Sequence, residues 1–176
     1  LSGTAERRWL EIGFGGGEHL AHQAALHPDV SLIGAEPFLN GAAKLLAEIE
    51  ARKLTNVRVH HGDARPLLDR LPDAAFERIY LLYPDPWPKE RQKKRRFVNE
   101  ANLVHFHRVL KPDGVFHFAS DIPDYVDWTR AHVADSKLFR EEGDPAVAFD
   151  DWIRTRYEAK ALREARAPQY LRFRRL

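Results

Sequence analysis

Short apolar runs alternate with longer amphipathic stretches along this chain. Arg8-Trp9-Leu10-Glu11-Ile12 reads as a strand, and a glycine cluster and a helix near 17–27 follow it. Val30-Ser31-Leu32-Ile33-Gly34-Ala35 is a second strand. In 39–53, Leu39, Ala42, Ala43, Leu46 and Ile49 recur at helical spacing, which predicts an amphipathic helix. A third strand is expected at 57–60, a short helix at 64–70 and a fourth strand at 79–82. A helix over 97–109 meets stop signals in Lys111-Pro112-Asp113-Gly114. A fifth strand at 115–119 and a helix near 123–136 come next, and Tyr170 to Arg174 alternates like a late, partly exposed strand. The stretch 141–156 carries no period and reads as a loop, mobile without ligand. This alternation predicts an α/β fold with a doubly wound, mostly parallel sheet.

Composition narrows the class. A chain of 176 residues suits one domain, expected to cover 1–176. It has no cysteine, which excludes disulfides, thiolate zinc sites and cysteine nucleophiles. No metal site is expected. No apolar run is long enough to span a bilayer, so no membrane association is expected. Methionine is absent even at position one, and the chain opens on Leu1-Ser2-Gly3-Thr4, which looks like a surface segment. A part preceding this numbering is therefore expected.

Net charge is only +2, but it is segregated. Six of the eight residues from Lys89 to Arg96 are basic, namely Lys89, Arg91, Lys93, Lys94, Arg95 and Arg96. A second basic region covers 154–175, whereas acids collect at Glu141, Glu142, Asp144, Asp150 and Asp151. Two distant basic segments suggest a nucleic-acid face; the plainer reading of each is a solvated surface.

The chemistry concentrates at predicted strand ends. Glu11-Ile12-Gly13-Phe14-Gly15-Gly16-Gly17 sits at the first strand-to-helix turn and fails the dinucleotide pattern G-x-G-x-x-G in both registers. An acid ahead of such glycines suits a ligand with an ammonium group. Glu36 ends the second strand, where an acid meets ribose hydroxyls. Asp63, after the third strand, suits an exocyclic amine such as adenine's. Ammonium, ribose and adenine together describe S-adenosyl-L-methionine. Singly, each acid reads equally well as a turn or cap residue. After the fourth strand comes Tyr83-Pro84-Asp85-Pro86-Trp87, a proline-framed acidic loop leading into the basic run. Trp87 suits stacking on a base or packing on the following helix.

Taken together, Leu10-Glu11-Ile12-Gly13-Phe14-Gly15, Gly34-Ala35-Glu36, Gly62-Asp63-Ala64, the Pro84-Asp85-Pro86-Trp87 motif with its basic tail and Thr155-Arg156-Tyr157-Glu158 resemble the TrmB family of bacterial tRNA (guanine-N7-)-methyltransferases. The resemblance runs from about residue 8 to the end of the chain. Gln92 stands where the family usually has histidine, Ser120 where it has threonine and Ile122 where it has tryptophan. The resemblance implies a Rossmann-like class I S-adenosylmethionine-dependent methyltransferase with a seven-stranded sheet. It implies a cytoplasmic enzyme that methylates N7 of the variable-loop guanine of tRNA, position forty-six, and needs no obligatory protein partner. The family also has a basic segment before its first strand. By resemblance, Glu11, Gly13, Gly15, Glu36, Asp63 and Asp85 bind the methyl donor, and Asp85 is also catalytic. Lys89, Asp121, Thr155, Arg156, Tyr157 and Glu158 bind substrate, while Arg91, Lys93, Lys94, Arg95 and Arg96 are placed against tRNA phosphates. Thr155 and Glu158, three apart, would face the base together, or else form only a capping box. Two other functions fit the same residues: a small-molecule methyltransferase, and a non-catalytic RNA-binding module.

Overall fold

The computed structural model describes residues 7–176; the opening segment read as surface lies outside them. The elements run β1 (Arg7–Ile12), α1 (Glu18–Leu26), β2 (Val30–Glu36), α2 (Leu39–Arg52), β3 (Val57–His61), α3 (Ala64–Arg70) and β4 (Phe76–Leu82). A 3-10 turn (Glu90–Arg95) leads to α4 (Glu100–Val109), β5 (Leu110–Ser120), α5 (Pro123–Ser136), β6 (Phe139–Glu142), α6 (Arg156–Arg163) and β7 (Gln169–Arg175). The strands form one seven-stranded sheet in the order β3-β2-β1-β4-β5-β7-β6. β1 to β5 pair in parallel, and β7 runs antiparallel between β5 and β6. This is the mostly parallel, doubly wound sheet that the alternation predicts.

Strand side chains alternate between two apolar layers, as the two-residue period of a strand requires. Leu10, Ile12, Ile79, Leu81, Phe116 and Phe118 face α3, α4 and α5 through Leu68, Leu103, Phe106 and Tyr125. Trp9, Leu32, Tyr80 and Leu82 face the other way, toward Leu20, Ala24, Ala42 and Leu45 of α1 and α2. The carboxyl ends of β1 to β5 therefore share one edge, where open α/β sheets bind ligands.

Three expectations are corrected. α2 forms where its period predicts, but it buries Ala42 and Leu45 and leaves Leu39 and Leu46 exposed. Its rotation is fixed by a close approach at Gly41, where a Cβ would collide with the Gly15 carbonyl oxygen. The proline–glycine stop after α4 does not separate it from the next strand. Leu110 already pairs with Phe76, and the chain then bulges before Val115 pairs with Arg78. The stretch 141–156 is not a free loop. It begins in β6 and continues as a strap whose Phe149 is buried against Tyr80, His117, Trp152 and Tyr170. Gln23 Nε2 donates to the Asp151 carbonyl (3.0 Å), fastening the strap to α1.

Candidate functional site

A cleft of about 1030 Å³ opens at the carboxyl edge of the sheet. It brings together Gly13, Gly15, Glu36, Asp63 and Asp85 with Lys94, Arg95, Arg156 and Tyr157. Five loops and three helices contribute, which is why residues spread over much of the sequence meet here.

The glycine loop adopts backbone that a side chain would strain: φ is +69° at Gly13 and +59° at Gly15. Space over Gly13 is open, whereas Gly15 lies under the Tyr157 ring. Glu36 is buried and fixes this loop. Its Oε2 accepts from the Gly15 N–H (2.8 Å), and its Oε1 accepts from the Phe38 N–H (3.0 Å). Asp63 caps α3, accepting from the Arg65 N–H (2.9 Å) and from the Arg65 guanidinium (2.7 Å). Burial opposes its charge, but these two donors outweigh burial and hold its carboxyl below the usual range. Asp63 is thus both the cap that the plainer reading expects and a wall of the cleft.

Glu11 lies below the glycine loop, buried, with Oε2 bonded to His19 Nδ1 at 2.7 Å. It lines a small recess with Gly13, Tyr83 and Tyr157 beside the main cleft. Nothing in the sequence marks His19 as its partner except its place in the first turn of α1, across the glycine loop from the strand-end acid.

Asp85 is exposed on the cleft wall. The flanking Tyr83 and Trp87 both have positive φ, +48° and +42°, so the Pro84–Pro86 segment is held in a costly conformation. Trp87 belongs to neither apolar cluster; the Arg95 guanidinium lies over its ring at 5.0 Å, and both line the cleft. The basic run divides. Lys89, Arg91, Lys94 and Arg95 are exposed. Lys93 instead pairs with Glu90 (3.0 Å) and Asp124 (3.2 Å).

Arg96 is a correction: it is only 1% exposed and cannot meet a phosphate. Its Nε donates to the Pro86 carbonyl (2.8 Å) and its Nη2 pairs with Asp124.

The segment 155–158 also divides. Arg156 and Tyr157 line the cleft, with Arg156 Nη2 donating to the Tyr157 hydroxyl (3.0 Å). Thr155 and Glu158 point inward. Thr155 Oγ1 accepts from the Glu158 N–H (3.2 Å) and caps α6. The Glu158 carboxylate accepts from Trp152 Nε1 (2.7 Å) and the Tyr170 hydroxyl (2.5 Å). The expectation that Glu158 faces a base is therefore not met: both oxygens are taken inside the protein. Asp121 lies apart from the cleft lining, bonded to Arg166 Nε at 2.5 Å.

The sequence pattern does not single out Phe38, Asn40 and Lys44 at the start of α2, or Arg65 and Tyr83. Their only signal is position, at the start or within the first turns of the helices that follow Glu36 and Asp63 or, for Tyr83, directly before Pro84. Among the described residues, no cluster of acids and histidines could hold a metal, and no helix is long and apolar enough to cross a membrane.

Comparison with known proteins adds independent findings. A family model described as "Putative methyltransferase" matches residues 5–169. A tRNA (guanine-N(7)-)-methyltransferase of Ruegeria pomeroyi is 55% identical over 171 residues, covering 96% of this chain and 72% of that protein. One of the same name from a Chelativorans species is 55% identical over 168 residues, covering 93% and 72%. Among solved structures, an S-adenosylmethionine-dependent methyltransferase from Aquifex aeolicus superposes with a TM-score of 0.67 at 13% identity, over 97% of this chain and 83% of that one. That likeness establishes a Rossmann-like class I methyltransferase fold.

Proposed function

The chain belongs to the tRNA (guanine-N7-)-methyltransferase family, and from that premise we propose that it transfers a methyl group from S-adenosyl-L-methionine to N7 of the variable-loop guanine of tRNA, position forty-six, in the cytoplasm. The observation that carries this reading is the single cleft that sets the strand-end acids Glu36 and Asp63 beside Asp85 and the exposed cations Lys94 and Arg95. A small-molecule enzyme has no use for that cationic rim, and a binding module has none for the acids.

The residues present fit the donor. Gly13 leaves open space against the backbone, Glu36 offers its remaining lone pairs to ribose hydroxyls, Asp63 suits an adenine amine and Glu11 an ammonium group. When bound, the donor supplies an electrophilic methyl group on a cationic sulfur. Guanine N7 carries a lone pair and no proton, so the protein needs no general base. Its task is to hold N7 in line with the methyl group. Asp85 accepts from guanine N–H groups and stabilises the positive charge that develops on the ring. Lys94 and Arg95 hold the adjoining phosphates.

Incubating tRNA that lacks the modification with labelled donor tests the reading. Label at guanine N7 of the variable loop is expected. Donor binding without transfer to tRNA would favour a small-molecule enzyme, and tRNA binding without donor binding would favour a non-catalytic module.

Two further outcomes follow. Glu36→Ala removes the acceptor for two backbone N–H groups and for the ribose, so S-adenosylhomocysteine should bind about 1–3 kcal/mol more weakly. Titration calorimetry reads this, with tRNA affinity unchanged; an unaltered donor affinity would leave Glu36 as a turn residue only. Reversing both Lys94 and Arg95 to Glu should weaken all tRNAs alike. It should also flatten the salt dependence by about 0.7–0.9 for each phosphate that is no longer neutralised. An unchanged slope would assign phosphate binding to the C-terminal arginines instead.

A further inference from the structure

We propose that Arg96 is the positioning residue of the Asp85 loop, an inference that rests on the catalytic reading of Asp85 given above. The side chain is 1% exposed although it ends a run of solvated cations. A guanidinium is expensive to bury unless each face and edge is matched. Here they are. Its Cζ lies over the rings of Tyr125 (4.8 Å) and Trp128 (5.1 Å), both on α5. Its Nη2 pairs with the Asp124 carboxylate, Nη1 reaches the Asp124 carbonyl (3.4 Å), and Nε donates to the Pro86 carbonyl (2.8 Å).

The bond to Pro86 is the informative one. Pro86 follows Asp85 directly, and prolines have no backbone N–H with which to bind the loop to its surroundings. The turn is entered and left through residues of positive φ, Tyr83 and Trp87, a conformation that persists only when its surroundings over-determine it. Arg96 supplies that restraint by joining the Pro86 carbonyl to the first turn of α5. The same platform holds the chain beyond Arg96. The Tyr125 hydroxyl accepts from the Phe97 (3.1 Å) and Val98 (3.4 Å) N–H groups, and burial pushes that hydroxyl up to about 12. Arg95 thus points to the cleft and Arg96 to the interior, so neighbouring identical letters have opposite work.

Arg96→Lys keeps the charge beside Asp124 but has no planar fork to reach Asp124 and Pro86 together. With the full chain and unmodified tRNA, kcat should fall tenfold or more. KM for tRNA, S-adenosylhomocysteine affinity and the salt slope of tRNA binding should stay within twofold of the parent. A flattened slope would make Arg96 a phosphate ligand, and a lower melting temperature with unchanged kcat would make it only a core residue; either overturns the proposal. Should Arg96→Lys fail to fold, Asp124→Asn carries the test. Asp124 is half-exposed, and its loss frees the guanidinium from one side only. A several-fold kcat loss at constant tRNA affinity is then expected, and an unchanged kcat overturns the proposal. Parent protein that transfers no label to tRNA would instead refute the functional reading itself.

Discussion

Asp85→Ala should lower kcat for methyl transfer on the order of a hundredfold or more, with melting temperature and tRNA affinity close to the parent's. The size follows from what the residue faces. N7 needs no base, so catalysis must come from placement and from stabilising a ring that becomes cationic. Asp85 is an acid on the cleft wall within a loop framed by Pro84 and Pro86, whose Pro86 carbonyl is held by Arg96. Folding should be nearly indifferent to the change, because Asp85 is exposed and belongs to neither apolar cluster. Asp85→Asn separates charge from shape: it retains one acceptor and should recover only part of the loss. Single-turnover measurement with saturating donor and tRNA reads the chemical step directly. Near-parent kcat in Asp85→Ala would remove the residue from catalysis and leave Trp87 and Arg95 as the substrate wall.

The sequence reveals those parts of this molecule that repeat with a period or crowd into a motif. The parallel strands β1, β2 and β4 show themselves as apolar runs because both faces are buried, and Glu11, Glu36 and Asp85 stand at or just beyond their ends, with Asp63 two residues past the more exposed edge strand β3. What remains hidden depends on neighbours distant in sequence. Which face α2 buries is decided by Gly41 against Gly15, and by Leu45 lying where a Cβ on Gly17 would meet it at 2.7 Å. Leu39 and Leu46 keep the period but lose the position. β6 has four residues, three of them charged, and is a strand only because β7 lies beside it. Its charges are matched by Arg130 to Glu141 and Arg174 to Glu142. Phe149 and Trp152 show no period, so the strap reads as loop until Tyr80, His19 and Tyr170 are seen beneath them. Burial of Arg96 depends on Asp124, Tyr125 and Trp128, all more than twenty residues away.

Glu158→Ala should lower the melting temperature on the order of 10 °C, even with no donor or tRNA present. The carboxylate is the acceptor for Trp152 Nε1 and for the Tyr170 hydroxyl, and its removal leaves both donors without it. Each unpaired donor costs about 1–3 kcal/mol, and a domain of this size loses about 2–4 °C per kcal/mol. The two donors sit on different elements, the strap and β7, so one side chain on α6 ties three segments together. The Thr155 cap should survive, since its donor is the Glu158 backbone N–H, which alanine keeps. Glu158→Gln should cost less, because its amide oxygen still accepts from one donor while the amide nitrogen opposes the other. Turnover on tRNA should fall in both variants because α6 carries Arg156 and Tyr157 to the cleft wall. The decisive reading is the ligand-free melt. A carboxylate that recognised guanine would leave that melt unchanged and lower turnover alone, whereas one that fastens the strap lowers the melt first, Ala more than Gln. An unchanged melt in Glu158→Ala would restore the base-reading role and require Trp152 and Tyr170 to find other acceptors.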